Sequence, residues 1–387
     1  DVTVSPSTTF NVTSGDAFKL TSDAGITFTN NNSEVTITGA DVGIDAVHYG
    51  TYGGALSITT TGTTTGGNYD GIYATIKNAA STGDLTINAA TTTGGEDGID
   101  ADNEGSGALS ITTTGRTTGG TGYDGINAYN KSTGTSVTIN AATTIGGEDG
   151  IVALNYGSGA VKITTTGTTT GTTGTGIVAA ISSANSSSDL TINAATTTGG
   201  VDGIKADNNG SGALSITTTG TTTGTGGEGI NADNDGTDLT INVATTTGSD
   251  DGIDAENDGS GALSITTTGT TTGGDDGIDA DNDGTSLTIN AVTTKGSNYG
   301  IKADNNGTGV LSITTTGTTT GTKYDGIYAN NSSAGTSFTI NAATTTGGED
   351  GIDADNEGSG ALTITTTGTT TGGTGYDGIN AYNKSTG

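Results

Sequence analysis

One tetrapeptide pattern, Gly-Ile-x-Ala, recurs along nearly the whole chain and limits what the chain can fold into. The pattern marks a repeat of about 26 residues. A repeat of that length is too small to bury its apolar side chains alone, so copies must stack on one another to share a core. Neighbouring isoleucines of the pattern are 23 to 28 residues apart, and they stand at Ile44, Ile72, Ile99, Ile126, Ile151, Ile177, Ile204, Ile230, Ile253, Ile278, Ile301, Ile327, Ile352 and Ile379.

The copy at 276–296 shows how one repeat is built. Ile278 and Ala280 alternate with polar residues, as Leu287 and Ile289 do further along, and a Thr-rich run leads to Gly296. Alternation with period two is typical of strands, and Thr suits a pleated surface. Gly, Asn and Asp separate the three pieces as turns. We therefore predict an all-β fold, a right-handed parallel β-solenoid (β-helix) of about 14 laps of about 26 residues, with three short strands per lap.

The composition alone would suit a disordered chain, because only 29% of the residues are hydrophobic and the net charge is -31. The regular register of Ile and Ala excludes that interpretation. Residues 1–42 lack the pattern and are predicted to form an N-terminal cap and first irregular coils, since a terminal repeat must cover an open sheet edge. Residues 43–387 are predicted to be the repetitive solenoid, which we expect to be truncated at its C-terminal end.

The charge balance restricts the possible partners. With 10 Lys and Arg against 41 Asp and Glu, the chain would repel nucleic acid, and no apolar run is long enough to insert into a membrane. Catalysis is not expected either: His48 is the only histidine, and the carboxylates repeat in nearly every lap although an active site is normally unique. The chain is thus expected not to be an enzyme.

An asparagine stands four residues after most of the repeat isoleucines. Side-chain amides stacked at a turn can hydrogen-bond to one another and to the backbone, which favours a structural ladder over a sugar-binding role. This predicted ladder consists of Asn103, Asn130, Asn155, Asn208, Asn234, Asn257, Asn282, Asn305, Asn331, Asn356 and Asn383.

Acidic residues precede the turn glycine in most laps and are densest in two neighbouring laps. Stacked carboxylates repel one another, so either backbone N–H groups in their own turns or cations must offset the charge. Calcium is the one cofactor that the sequence suggests, with the candidate ligands Asp251, Asp254, Asp258, Asp276, Asp279 and Asp283. The alternative is a solvated acidic face that attracts cations without a specific site. The Thr runs add ice binding as a further alternative.

The Gly-Ile-x-Ala and Leu-x-Ile strands, the Thr, Gly and Asn-rich laps, the absence of Cys and the acidic charge resemble the passenger region of bacterial autotransporter adhesins. The resemblance covers the whole chain. It implies an extracellular rod on a Gram-negative surface, anchored to the outer membrane through a region beyond residue 387, that mediates attachment, cell–cell aggregation or biofilm formation. Its partners would be cell-surface or matrix molecules, or other copies of itself. The competing hypothesis is a self-assembling structural solenoid of a surface layer, sheath or filament.

Overall fold

A computed structural model describes residues 2–3, 9–51 and 53–384. Within these ranges the chain consists of strands and turns, with no helix, and it forms a parallel β-solenoid of about 14 turns. The predicted fold class is therefore confirmed. No helix that could span a membrane is found in the part of the chain that the structure describes. The chain divides into two compact units, residues 1–200 and 201–387.

Each complete turn has a first, a second and a third strand, in chain order. In residues 1–200 the first strands are Phe18–Ser22, Ile44–His48, Ile72–Ile76, Ile99–Asn103, Ile126–Asn130, Ile151–Asn155 and Ile177–Ile181. The second strands are Val2–Thr3, Ile26–Asn30, Leu109–Thr113, Val137–Ala141, Val161–Thr165 and Leu190–Ala194. The third strands are Phe10–Asn11, Thr36–Gly39, Arg116–Thr118, Thr143–Gly146, Thr168–Gly171 and Thr196–Gly199. Two longer strands, Leu56–Gly66 and Leu85–Thr93, run through both the second and the third position.

Residues 201–387 repeat the same plan. The first strands are Ile204–Asn208, Ile230–Asn234, Ile253–Asn257, Ile278–Asn282, Ile301–Asn305, Ile327–Asn331, Ile352–Asn356 and Ile379–Asn383. The second strands are Leu214–Thr218, Leu239–Val243, Leu263–Thr267, Leu287–Ala291, Leu311–Thr315, Phe338–Ala342 and Leu362–Thr366. The third strands are Thr221–Gly224, Thr245–Thr247, Thr270–Thr272, Thr293–Gly296, Thr318–Gly321, Thr344–Gly347 and Thr370–Thr371.

Equivalent residues of successive first strands, second strands and third strands pair in register within each unit. Ile253 pairs with Ile278, and Ala255 with Ala280, although the turns differ in length. The same holds for Leu263 with Leu287 on the second strands. Variation in turn length is therefore taken up between the strands, because a slip of one residue would move every buried side chain to the outer face.

Isoleucine, alanine and leucine side chains of the first and second strands form the core, and nearly all of them are fully buried. From Thr64 to Thr345, the inward residue of the third strand in each turn is also buried, and it is a threonine, such as Thr222 or Thr271. The sequence predicts the Thr runs as a pleated side of the lap, whereas the structure places these threonines in the core.

The glycine before each repeat isoleucine lies where the first and third strands meet. A Cβ added to Gly252 would stand 2.4 Å from the carbonyl oxygen of Gly277 and 2.7 Å from the Cγ2 methyl of Thr271. These distances leave no room for a side chain, which explains why the motif begins with glycine.

The predicted cap, residues 1–42, contains strands that pair with the repeat region. Phe18–Ser22 pairs in parallel with Ile44–His48, and Ile26–Asn30 pairs with the start of the strand that begins at Leu56. Phe18 also makes edge-to-face contacts with Phe10 and Phe28, with ring centroids 4.7 and 4.9 Å apart. Residues 1, 4–8, 52 and 385–387 lie outside the described residues, and the domain boundary at 42 stays a prediction.

Candidate functional surfaces

Every turn exposes two kinds of surface, which we name by the strands that form them. The outer face of the first strands is the first-strand wall, and the outer face of the second and third strands is the threonine wall. Alternation along each strand decides which side chains reach these walls, because inward and outward positions alternate. Both walls occur in both units.

The first-strand wall of residues 201–387 carries a column of carboxylates, one per turn over five successive turns. Its members are Asp207, Asp233, Glu256, Asp281 and Asp304. Neighbours in such a column are about 4.8 Å apart and repel one another. Burial, followed by repulsion from neighbouring carboxylates, raises the pKa of Asp233 and of Asp281 to about 6.

In residues 1–200 the same wall is less acidic. The outward positions of its first strands hold Asp100 and Asp102 but also Val152, Leu154 and Val178. Burial is the main reason that the pKa of Asp100 is raised to about 8, and Asp70 is the strongest of the carboxylates that raise it further.

Aspartates of the turn before the first strand form a second acidic stack, the Asp ladder. Its members include Asp70, Asp97, Asp124 and Asp149 in residues 1–200, and Asp202, Asp251, Asp276, Asp325 and Asp350 in residues 201–387. Each of these carboxylates accepts a hydrogen bond through Oδ1 from the backbone N–H of the equivalent residue one turn further on. The donor residue is an aspartate in six of these nine bonds, and it is Thr175 for Asp149, Glu228 for Asp202 and Tyr299 for Asp276.

The sequence suggested that N–H groups of the carboxylate's own turn would donate these hydrogen bonds. In the structure the donor belongs to the next turn. The bond from the N–H of Asp276 to Asp251 is 2.7 Å long. Burial raises the pKa of Asp251 to about 7, because it outweighs this hydrogen bond, which by itself would lower that pKa. The Asp ladder therefore links successive turns, and burial makes its members Asp70, Asp124 and Asp251 easier to protonate than in water.

Tyr299 stands at the position where other turns have an acidic residue. Its ring stacks on Tyr324 with centroids 5.1 Å apart and lies 5.6 Å from that of Tyr328. Burial raises the pKa of Tyr299 to about 12. The sequence showed Tyr299 as an interruption of the acidic series, but not that three tyrosines of neighbouring turns come together there.

The six calcium candidates are divided among different contacts. Asp251 and Asp276 belong to the Asp ladder, Asp258 and Asp283 lie exposed in the turns after the first strands, and Asp254 pairs in register with Asp279. Asp279 also forms an ion pair of 2.8 Å with Lys302. Among the described residues, no group of three or more His, Cys, Asp or Glu side chains is placed to hold a metal ion. Calcium binding stays a prediction.

The asparagines of the predicted ladder lie side by side at the ends of the first strands and point into the core. Each amide nitrogen donates to the amide oxygen of the next asparagine: Asn234 to Asn257 and Asn257 to Asn282 are both 2.8 Å. The series runs from Asn103 through Asn130 to Asn155, and again from Asn208 to Asn383. Ten of the eleven are fully or almost fully buried, so their amides serve the interior and not a ligand at the surface.

The threonine wall carries no Asp or Glu in any second or third strand that the structure describes. Its outward positions hold mainly Thr, with Ser and Asn, and they pair in register from turn to turn, as Thr318 does with Thr344 and Thr320 with Thr346. Lys162, Arg116 and Lys295 are its charged residues. This surface is therefore almost uncharged in a chain whose net charge is -31.

The inward threonines behind this wall have buried hydroxyls without a hydrogen-bond partner among the described residues. They form one stack per unit: Thr92, Thr117, Thr144, Thr169 and Thr197 in the first, and Thr222, Thr246, Thr271, Thr294, Thr319, Thr345 and Thr370 in the second. Neighbouring hydroxyls in a stack are about one strand spacing, 4.8 Å, apart, which is too far for a hydrogen bond between them.

Comparison with known proteins adds no family to this description. No protein-family model, no curated protein and no solved structure matches the chain.

Proposed function

We propose that the chain is an extracellular, surface-exposed structural and adhesive segment of the kind carried by autotransporter-type adhesins, and that it mediates attachment or cell–cell aggregation. One observation carries this proposal: outward side chains of equivalent positions stand in register on successive turns of each unit. Any contact that one turn makes can therefore be made again by the next turn.

Repetition of this kind suits adhesion because many weak contacts act together. Linked sites raise the overall avidity by about 10²–10⁴ over one contact when their geometry allows simultaneous binding. The same register would serve no purpose in an enzyme, which needs one arrangement of groups and not a series of equal ones. The depressions found on the described surface are shallow, and none encloses a ligand on all sides.

Two walls of different charge also suit an adhesive protein. The carboxylate column keeps like-charged copies apart most strongly at low salt, because the Debye length is about 30 Å at 0.01 M ionic strength and only about 8 Å at physiological ionic strength. The threonine wall has no carboxylate on its strands, so it carries no such barrier and is the surface that can approach another molecule closely.

The test is to couple the purified chain to beads in one orientation and to measure bead clustering and attachment to coated surfaces. We expect clustering or attachment above that of beads carrying an unrelated globular protein of matched negative charge, and the effect should increase with salt. Beads that neither cluster nor attach under any of these conditions would show that the chain is not adhesive.

A further inference from the structure

The corner between the second and third strands alternates from turn to turn. One kind of turn has the sequence Thr-Thr-Gly there, as at 315–317, and the next has Ala-Ala, as at 342–343. The Thr-Thr-Gly corner holds one extra residue, which shifts the register between the second and third strands, as seen between Thr60 and Thr63. Its backbone still bonds to the neighbouring turn: the N–H groups of Thr316 and Gly317 donate to the carbonyls of Ala291 and Val292 at 3.0 and 2.8 Å.

The extra residue makes the corner threonine protrude, whereas the alanine corner stays recessed. Thr316 and Thr367 are exposed, and Ala343 between them is half-buried. A depression of about 320 Å³ results, with Asn341, Ala342 and Ala343 along its floor and the two threonines as its walls.

The other unit contains the same depression. There Asn88, Ala89 and Ala90 line the floor, Thr61 and Thr114 stand on either side, and the volume is about 190 Å³. Corners without the extra residue recur at every second turn in the sequence, as Ala-Ala at four of them and as Val243-Ala244 and Ala291-Val292 at the other two. Depressions of this kind would therefore be two turns, or about 9.6 Å, apart.

The lining has the chemistry of a sugar site. Alanine and threonine methyl groups can contact the C–H face of a pyranose ring, while threonine hydroxyls and the exposed amide of Asn88 or Asn341 can bond to its hydroxyls. No charged residue lines either depression. The net charge of -31 also disfavours an anionic glycan.

The spacing selects the form of the glycan. A β-1,4-linked chain is extended and repeats its geometry every second sugar, at a distance close to two turns of the solenoid. We propose that the corner depressions bind an uncharged, extended β-1,4-linked glycan, with one disaccharide at each alanine corner. This inference rests on the proposed adhesive function and names the class of molecule to which the threonine wall attaches.

The experiment titrates the soluble chain with cellobiose, cellotetraose and cellohexaose and follows binding by calorimetry or NMR. Binding should tighten with each added disaccharide, by about tenfold or more from cellobiose to cellohexaose, because linked contacts act together. Maltohexaose, whose α-1,4-linked chain curves away from the extended form, is the matched control and should bind too weakly to measure. Equal binding of maltohexaose and cellohexaose, or no binding of either, would overturn the proposal.

A variant that fills the depressions tests the site directly. Threonine is the residue that alternate turns already carry at this corner, so the substitution suits the fold. The variant is Ala90→Thr, Ala142→Thr, Ala195→Thr, Ala244→Thr and Ala343→Thr combined, and Val292, at the remaining corner, already has a side chain of the size of threonine. It should lose cellohexaose binding, whereas Ala79→Thr, at an exposed alanine outside the wall, should keep it. Unchanged binding by the combined variant would contradict the assigned site.

A milder variant covers the case in which the combined variant does not fold. Asn88→Ala with Asn341→Ala removes only exposed amides and should weaken cellohexaose binding; unchanged affinity would count against the proposal. The soluble assay also separates the two proposals. Beads that cluster or attach while cellohexaose fails to bind would overturn the glycan assignment and leave the adhesive function standing.

Discussion

The strands behind the first-strand wall and those behind the threonine wall both place polar side chains inside the core. They differ in whether these side chains find hydrogen-bond partners. Behind the first-strand wall, each asparagine amide donates to the next, as Asn257 does to Asn282. Behind the threonine wall, hydroxyls such as that of Thr222 are buried without a partner. The difference is one of reach: an amide carries its donor and its acceptor on separate atoms and can bridge one strand spacing of about 4.8 Å, whereas a hydroxyl is a single oxygen and cannot.

The outer faces of the two walls differ as well. Acidic residues are concentrated on the first-strand wall and in the adjoining turns, and the threonine wall has none on its strands. The first wall should therefore respond to pH and salt, and the second should not. Four measurements can break or sharpen this comparison.

The largest effect is expected from removing an interior member of the asparagine ladder. Asn257→Ala leaves the amide of Asn234 without one acceptor and the oxygen of Asn282 without its donor, both in the core. Loss of buried partners costs about 1–3 kcal/mol each, so the free energy of unfolding should fall by about 3 kcal/mol. Chemical denaturation measures this, and Asn306→Ala, at an exposed amide, is the control that should change little. A fall of equal size in both variants would show that the ladder adds nothing special.

A smaller loss is expected at the glycine where the two walls meet. Gly252→Ala would bring a methyl group to 2.4 Å from the carbonyl oxygen of Gly277, and overpacking of this kind costs about 1–3 kcal/mol. The matched control is Gly378→Ala, because the nearest atom to its added Cβ would be the oxygen of Thr370 at 3.2 Å. Denaturation should show a clear loss for the first variant only. Equal stability of the two variants would mean that the close approach is readily relieved.

Much of this arrangement could be predicted from sequence. Period-two alternation and the recurrence of Gly-Ile-x-Ala were enough for the parallel solenoid, since Ile253 and Ile278 can share a core only if turns stack in register. The positions of the ladder asparagines also follow from their constant offset from isoleucine.

The contacts between turns were harder to predict. The carboxylate of Asp251 accepts from the N–H of Asp276 in the next turn, and sequence offers no signal for which turn supplies a donor. Nor does it separate Thr222 in the core from Thr221 at the surface, because the run Thr-Thr-Thr has no alternation to read. The one extra residue per two turns can be read from the sequence, where the run at 57–66 is one residue longer than the run at 86–94. The depressions that it creates at the corners become visible only when the strands are paired.

The acidity of the first-strand wall and the Asp ladder predicts a dependence of stability on pH. Burial raises the pKa of Asp70, Asp124 and Asp251 to about 7 and that of Asp100 to about 8, above the value of about 3.9 for an unfolded aspartate. The folded state thus holds more protons than the unfolded state between these values. The stability from these groups is fully present below about pH 4 and is lost as the pH rises through about 7 to 8.

Thermal unfolding at pH 5 and pH 8 checks this. The Tm should be higher at pH 5 by about a few degrees, and added salt at pH 8 should recover part of the difference by screening the carboxylates. The control combines Asp70→Asn, Asp100→Asn, Asp124→Asn and Asp251→Asn, which keep a side-chain oxygen as acceptor but do not ionise. This variant should show a smaller dependence on pH. A Tm that is higher at pH 8 than at pH 5 would contradict the assignment.

The smallest effect is expected behind the threonine wall, and it should have the opposite sign to that of the ladder. Thr222→Val replaces a buried, unpaired hydroxyl with a methyl group of similar size, so the cost of keeping that hydroxyl out of water disappears. We expect a gain of about 1 kcal/mol in the free energy of unfolding. Thr221→Val, at the exposed neighbour in the same strand, should be close to neutral. A loss of stability in Thr222→Val, with none in Thr221→Val, would show that the buried hydroxyl does have a partner, and the contrast between the interiors of the two walls would then fail.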